Sequence, residues 1–215
     1  MKKIVLFIFV QLMFNFSVCN AQNVDKKNMN KDVKAMIQLG KDSIIQLALK
    51  SINKKVSEKN FSKTKITTNG KDVFVSFRNP IKYLPINSIF YFDVLVNVSK
   101  KTVYKNPVAN PLEYSDKKNI PFYKETENIK KHILFVIEAI NNMNISDIDR
   151  FEDDMIICEH KAYYAINVIS KFQESFYKIK KISGEIYNEE HAHLLAPPFE
   201  MDDKEKFKNI NFTEH

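Results

Sequence analysis

Hydrophobic positions along the chain follow two rhythms. Over residues 41–58, Ile45, Ala48, Leu49, Ile52 and Val56 recur at helical spacing, with Gly40 and Asp42 marking the start. A second helix is predicted from Glu125 to Met143, where Ile129, Ile133, Val136, Ile137 and Ile140 form one stripe and Thr126 can cap the first turn. Between and after these stretches the rhythm changes to alternation. In "KTKITTNGKDVFVSF", Asn69-Gly70 is a hairpin turn, because both residues tolerate positive φ, and Val73, Val75 and Phe77 alternate after it. In "SIFYFDVLVNVSKKTVY", Phe90, Phe92, Val94, Val96 and Val98 are expected on one strand face, opposite Asp93 and Asn97. Lys100-Lys101 then make a turn, and Val103-Tyr104 begin a return strand. "DMIICEH", "AYYAINVIS" and "SFYKIKKISGEIY" repeat the alternation, with a turn at Ser183-Gly184.

The expected fold class is α+β, with two helix-plus-antiparallel-sheet units. "DVLVNVSKKTVYKNP" and "FYKIKKISGEIYNEE" are both a strand, a turn and a return ending in a β-branched residue and Tyr, which makes the pair a candidate duplication. The organisation reads as a signal peptide over 1–21, a flexible mature N-terminus over 22–40 and a first α+β unit over 41–106. A Pro-containing linker over 107–124, a second α+β unit over 125–199 and a charged tail over 200–215 complete it.

The leader sharpens the picture. "MKKIVLFIFVQLMFNFSVCNAQ" has a basic start, an apolar run and small residues at its end, the order of a secretory signal peptide cleaved after Ala21. A second reading lipidates Cys19, although Val18 and Phe16 are poor flanks for that chemistry. The leader's apolar run is interrupted by Gln11 and Asn15, and no later stretch is apolar enough for a transmembrane helix. The protein is expected to be exported, to the periplasm or beyond. Cleavage after Ala21 leaves Cys158 as the sole cysteine, so the exported fold rests on its core rather than on an internal disulfide.

Charge excludes more than it suggests. The formal net charge is +7, but Arg78 and Arg150 are the only arginines, and the lysines are dispersed. Base reading and bidentate phosphate contacts favour arginine in clusters, so no nucleic-acid partner is expected. The three glycines, Gly40, Gly70 and Gly184, lie too far apart for a phosphate-cradling loop. The chain also lacks a G-x-S-x-G elbow, an H-E-x-x-H helix and a C-x-x-C pair.

The helix-then-hairpin units, with "VNVSKKTVY" and "KKISGEIY" as turn and return strands, resemble small exported PepSY-type modules over about residues 72–105 and 162–188. The hairpin alone is also similar to that of NTF2-like immunity domains. The PepSY resemblance implies a role in binding or inhibiting peptidases rather than catalysis, and it carries over no functional residues. The turn glycine of such modules is present as Gly184 and replaced by Lys100-Lys101 in the first unit. The leader's Ala21-Gln22 end and the Lys/Asn-rich composition resemble exported Bacteroidota-like bacterial proteins.

Four constellations carry candidate chemistry. In "YNEEHAHLLAPP", His191, His193 and Glu189 share one face of a strand and could hold zinc or copper; the plainer reading is a polar strand exit before Pro197-Pro198. The remaining mature histidines, His132, His160 and His215, have no fixed spacing to them. Cys158 and His160 could pair as nucleophile and base, but Cys158 follows Met155, Ile156 and Ile157 and reads as a buried thiol. "SDIDRFEDD" gathers Asp147, Asp149, Glu152, Asp153 and Asp154 without the calcium-loop pattern, and Arg150 opposes a cation. Aromatic residues crowd the strands, and alternation turns some outward; Tyr91, Tyr163 and Tyr177 are the candidate partner-binding residues. The expected function is therefore an exported, non-enzymatic binding or inhibitor-like protein for a protein or peptide partner, with no cofactor. The alternative is a metal-binding protein or metal-dependent hydrolase using His191 and His193.

Overall fold

The computed structural model describes residues 29–53, 56–110, 119–141, 154–169, 173–193, 208–210 and 212. The stretch expected as a signal peptide, most of the acidic run and the stretch from 194 to 207 lie outside them. Among the described residues, three helices and ten strands make an α+β fold of two five-stranded, mostly antiparallel sheets.

Each half follows one plan, helix and then a four-strand meander. In the first half, α1 (Lys31–Gln38) and α2 (Lys41–Ile52) precede β1 (Lys63–Thr68), β2 (Val73–Arg78), β4 (Ser88–Asn97) and β5 (Thr102–Asn110). In the second, α3 (Glu127–Asn141) precedes β6 (Asp154–Glu159), β7 (Tyr163–Ile169), β8 (Gln173–Lys180) and β9 (Ile186–His193). The fifth strand of each sheet comes from the other half. β3 (Ile81–Leu84) leaves the first half and pairs in parallel with β6, and β10 (Lys208–Asn209) returns to pair with β1. The sheet orders are thus β10-β1-β2-β4-β5 and β3-β6-β7-β8-β9.

Several elements differ from what the sequence alone predicts. Helix α1 occupies part of the stretch expected to be flexible. Its start is capped by the Asn30 side chain, which accepts from the Asp32 N–H at 3.3 Å, and Val33 is buried against α2 and the first sheet. β5 runs past the expected linker boundary, through Pro107 to Asn110. The segment expected as a charged tail supplies β10. Helix α3 lies inside its predicted bounds, and the Thr126 hydroxyl accepts from the Ile129 N–H as its cap.

The five alternating apolar residues from Phe90 to Val98, along β4 and just past its end, serve two cores, not one. Phe92 is buried with Tyr83, Leu84, Tyr123 and the apolar faces of α3 and β6–β8, and Phe90 packs against the same cluster. Val94, Val96 and Val98 are buried with α1, α2, β1 and β2. The pairing with β5 slips between Tyr91 and Val94, and such a bulge re-aims the strand so that one continuous β4 enters both cores. Asp93, within this slip, joins a polar seam that fixes the β3 crossover. Lys82 Nζ lies 2.8 Å from Asp93 Oδ2 and 3.2 Å from Asp154 Oδ2, and Arg78 donates to the same Asp154 oxygen at 2.8 Å. The Asn79 amide group donates to the Phe92 and Asn60 carbonyls, and the Met155 N–H donates to the Pro80 carbonyl at 2.8 Å.

Candidate functional site

Helix α3 covers one face of the second sheet, burying Met155, Ile157, Tyr164, Ile166, Val168, Tyr177 and Ile179 beneath it. Alternation sends the intervening residues to the opposite face. Register aligns two rows across it: Cys158, Ala165, Lys178 and Asn188, then Ile156, Asn167, Phe176 and Glu190. The rows line an open depression of about 320 Å³. Beside them His160 stacks on Tyr163 with ring centres 4.4 Å apart, and Tyr187 meets Tyr163 edge-on at 6.1 Å. Phe176 is 39% and Tyr187 46% exposed. Asn167 donates to Glu174 Oε1 at 2.7 Å, while its buried Oδ1 has no donor among the described residues. An apolar floor flanked by Lys178 and Glu190 suits a ligand that carries both apolar and polar groups.

The three candidate tyrosines do not converge. Tyr163 lies on this open face. Tyr177 is 2% exposed beneath α3, so its ring offers no surface to a partner. Tyr91 lies on the first sheet, packed against Phe122 at 5.5 Å and covered by Lys105, whose Nζ is 4.3 Å from the ring centre. Sequence reading missed Tyr187 and His160 as members of the aromatic face. The missing information was strand register, which alone brings residues 160, 163 and 187 together.

The histidine-rich stretch does not lie beyond the sheet. Residues 186–193 are strand throughout, with Glu189 in register with Tyr177, His191 with Ser175 and His193 with Gln173. The side chains of the candidate metal trio lie outside the described part of the structure. Among the described residues no group of three potential ligands gathers. Of the acidic run, Asp154 alone is described, and it pairs with Arg78 and Lys82 in the crossover seam.

Cys158 lines the depression, but burial pushes its thiol pKa up. A thiol held neutral is a poor nucleophile, and the neighbouring His160 ring is engaged with Tyr163.

A second cluster, on the helix side, was not anticipated. His132 of α3 stacks on Tyr83 at 5.4 Å, and its Nδ1 lies 2.6 Å from the Tyr164 hydroxyl. Lys181, in the β8–β9 turn, reaches Glu159 Oε1 at 2.5 Å and lies over the Tyr164 ring. Burial acts to raise the Glu159 pKa, but the Lys181 hydrogen bond, the nearby Tyr83 hydroxyl and the Lys181 and His132 charges outweigh it and hold the carboxyl below its usual range. Burial pushes the Tyr83 phenol far up, with Glu159 adding to the effect. This cluster ties β3, α3, β6, β7 and the β8–β9 turn together. Lys181 is paired with Glu159 and the rings are packed against one another, an arrangement that fastens these elements together.

No protein-family model matches the chain, nor does any curated protein or solved structure. The open face therefore stands on its own geometry. No helix among the described residues is long and apolar enough to cross a membrane.

Proposed function

We propose that this is an exported, non-enzymatic binding protein, inhibitor-like in its manner of action, that holds a polypeptide partner on the open face of its second sheet. The observation that carries the reading is the aromatic surface of that face, with Tyr163 and Tyr187 in edge-on contact beside the depression and exposed Phe176 lining it. Rigid aromatic side chains supply contact area at low entropic cost, and a polypeptide offers both apolar side chains and N–H donors. The neutral Cys158 thiol and the paired charges of the helix-side cluster are consistent with binding rather than covalent chemistry. The pattern resemblance to PepSY-type modules points the same way, as does the leader for export.

The test is a random-peptide display selection on the mature protein, followed by affinity measurement of the enriched peptides. Phe176→Ala combined with Tyr187→Ala is expected to weaken them by about tenfold or more, the effect of losing aromatic anchors at an interface. Enriched peptides indifferent to that double variant would refute the reading.

A further inference from the structure

Charged side chains around the open face of the second sheet find partners, with one exception inside the depression. Asn167 donates to Glu174 Oε1 at 2.7 Å, and Asn188 donates to Glu190 Oε1 at 3.1 Å. Lys180 Nζ lies 2.7 Å from Glu185 Oε2, and Asp154 pairs with Arg78 and Lys82. Lys178 is partly buried and lines the depression, yet among the described residues no carboxylate meets its ammonium. In register it stands between Ala165 and Asn188. Glu190 lies diagonally across the β8–β9 pair and is engaged by Asn188 instead. A cation on a partly apolar floor attracts an anion more strongly than one in open solvent, because water screens it less.

We propose that the polypeptide held on this face presents an acidic side chain to Lys178 and, two residues away, an apolar side chain to Phe176. The proposal rests on the reading of the face as a polypeptide site and names what that partner carries. Lys178 and Phe176 stand on the same side of β8, two residues and so about 7 Å apart. An extended polypeptide repeats its own side chains at that spacing, residues i and i+2 on one side, so a segment running along β8 makes both contacts at once. Phe176 is exposed and offers its ring to an apolar group, while Lys178 acts as a point charge that one carboxylate satisfies. The charge of the face also reverses along the strand. Glu190 and Glu174 lie at and beyond the Phe176 row, where a partner's acid would be repelled, so the acid is favoured at Lys178 and disfavoured next to Phe176.

The test runs random-peptide display on the mature wild-type protein and on Lys178→Glu in parallel. The wild type is expected to enrich peptides with Asp or Glu two positions from an aromatic or large aliphatic residue, and the variant to enrich Lys or Arg at the acid's position. Titration calorimetry on one enriched peptide then closes a cycle. Replacing its acid by the matching amide should weaken binding to the wild type by about three- to tenfold and leave binding to Lys178→Gln unchanged. Circular dichroism melts confirm that each variant is folded. Phe176→Ala combined with Tyr187→Ala separates two kinds of failure. Peptides that need those rings but carry no preferred acid, or whose acid matters equally to the wild type and Lys178→Gln, would overturn this inference and leave the face a polypeptide site. No enriched peptide at all, or peptides indifferent to the loss of both rings, would overturn the face and the inference together.

Discussion

The two sheets are built to one plan and finished differently. Each follows a helix, each is a four-strand meander, and each accepts its fifth strand from the other half at the edge of its first strand. Each also ties its last hairpin turn back to a carboxylate in its first turn region: Lys100 to Asp72 at 2.7 Å in the first sheet, Lys181 to Glu159 at 2.5 Å in the second. The differences lie on the outer face and the last edge. The outer face of the first sheet carries one row of Thr67, Phe74 and Asn97, with Phe74 buried, and one of Ser76, Leu95 and Tyr104, with no ring stacked on Tyr104 among the described residues, and its last strand is blunted by Pro107. The face of the second sheet carries the contacting set His160, Tyr163 and Tyr187, and its last strand contains no proline. Where a plan is shared, the shared parts are scaffold; interaction is to be sought where the two halves differ.

The comparison is tested most severely at the cores. Phe77, in the first, and Phe92, in the second, are both fully buried. Truncation of either to Ala should cost about 3–5 kcal/mol. Because β4 enters both cores, both variants should lower the midpoint of one shared urea transition, followed by tyrosine fluorescence and far-ultraviolet circular dichroism together. Two separate transitions would show the halves to be independent units. Next in size is the seam at the crossover. Lys82→Ala leaves Asp93 and part of Asp154 without their buried cation and should cost about 1–3 kcal/mol.

The paired turn carboxylates sharpen the likeness through pH. Lys100, by hydrogen bond and charge, holds Asp72 below its ordinary range, and Glu159 is depressed in the net by Lys181, Tyr83 and His132 despite its burial. Folded values below the unfolded ones mean that both groups stabilise the protein above about pH 4 and lose that contribution as pH falls through the folded values. Glu159→Gln should flatten the acid limb of a stability-versus-pH curve more than Asp72→Asn, because Lys181 is largely buried and Lys100 is exposed. The smallest effect concerns the turns. Lys101 has φ 57° where Gly184 of the other sheet has φ 70°. A left-handed non-glycine residue is strained by about 1 kcal/mol. Lys101→Gly should therefore raise stability by up to about 1 kcal/mol, and Gly184→Ala should lower it by a similar amount. A Cβ at 184 would stand at ordinary contact distance, 3.6 Å, from Phe135, so the loss is one of backbone conformation.

Periodicity carried much of this architecture into view. The helix stripes, the alternating strands and the turns at Asn69-Gly70 and Ser183-Gly184 are all local signals, and they stand where the pattern placed them, except that the helix expected over 41–58 ends at Ile52 and leaves Val56 outside it. What the pattern could not carry was pairing. "IKYL" is four residues that alternate no differently from those of any strand, and nothing local says that it crosses to lie parallel to β6. The bulge in β4 leaves the alternation of apolar letters intact while dividing them between two cores. α1 was legible in its Asn30 cap and in Val33, Met36 and Ile37, but its charged neighbours obscured it. At the candidate site, Tyr163 was visible and its partners were not, because the contact among His160, Tyr163 and Tyr187 exists only in register. Phe176 and Tyr177 are adjacent letters with opposite fates, 39% and 2% exposed, for the same reason.

The claim that the second sheet's open face is the working surface is tested most directly by amide chemical-shift mapping with a peptide from the display selection. Shifts are expected to concentrate in β7, β8 and β9 around Tyr163, Asn167, Phe176 and Tyr187, leaving Leu95 and Tyr104 of the first sheet unmoved. Shifts centred on the first sheet's outer face, or on the helix side around His132, would contradict it.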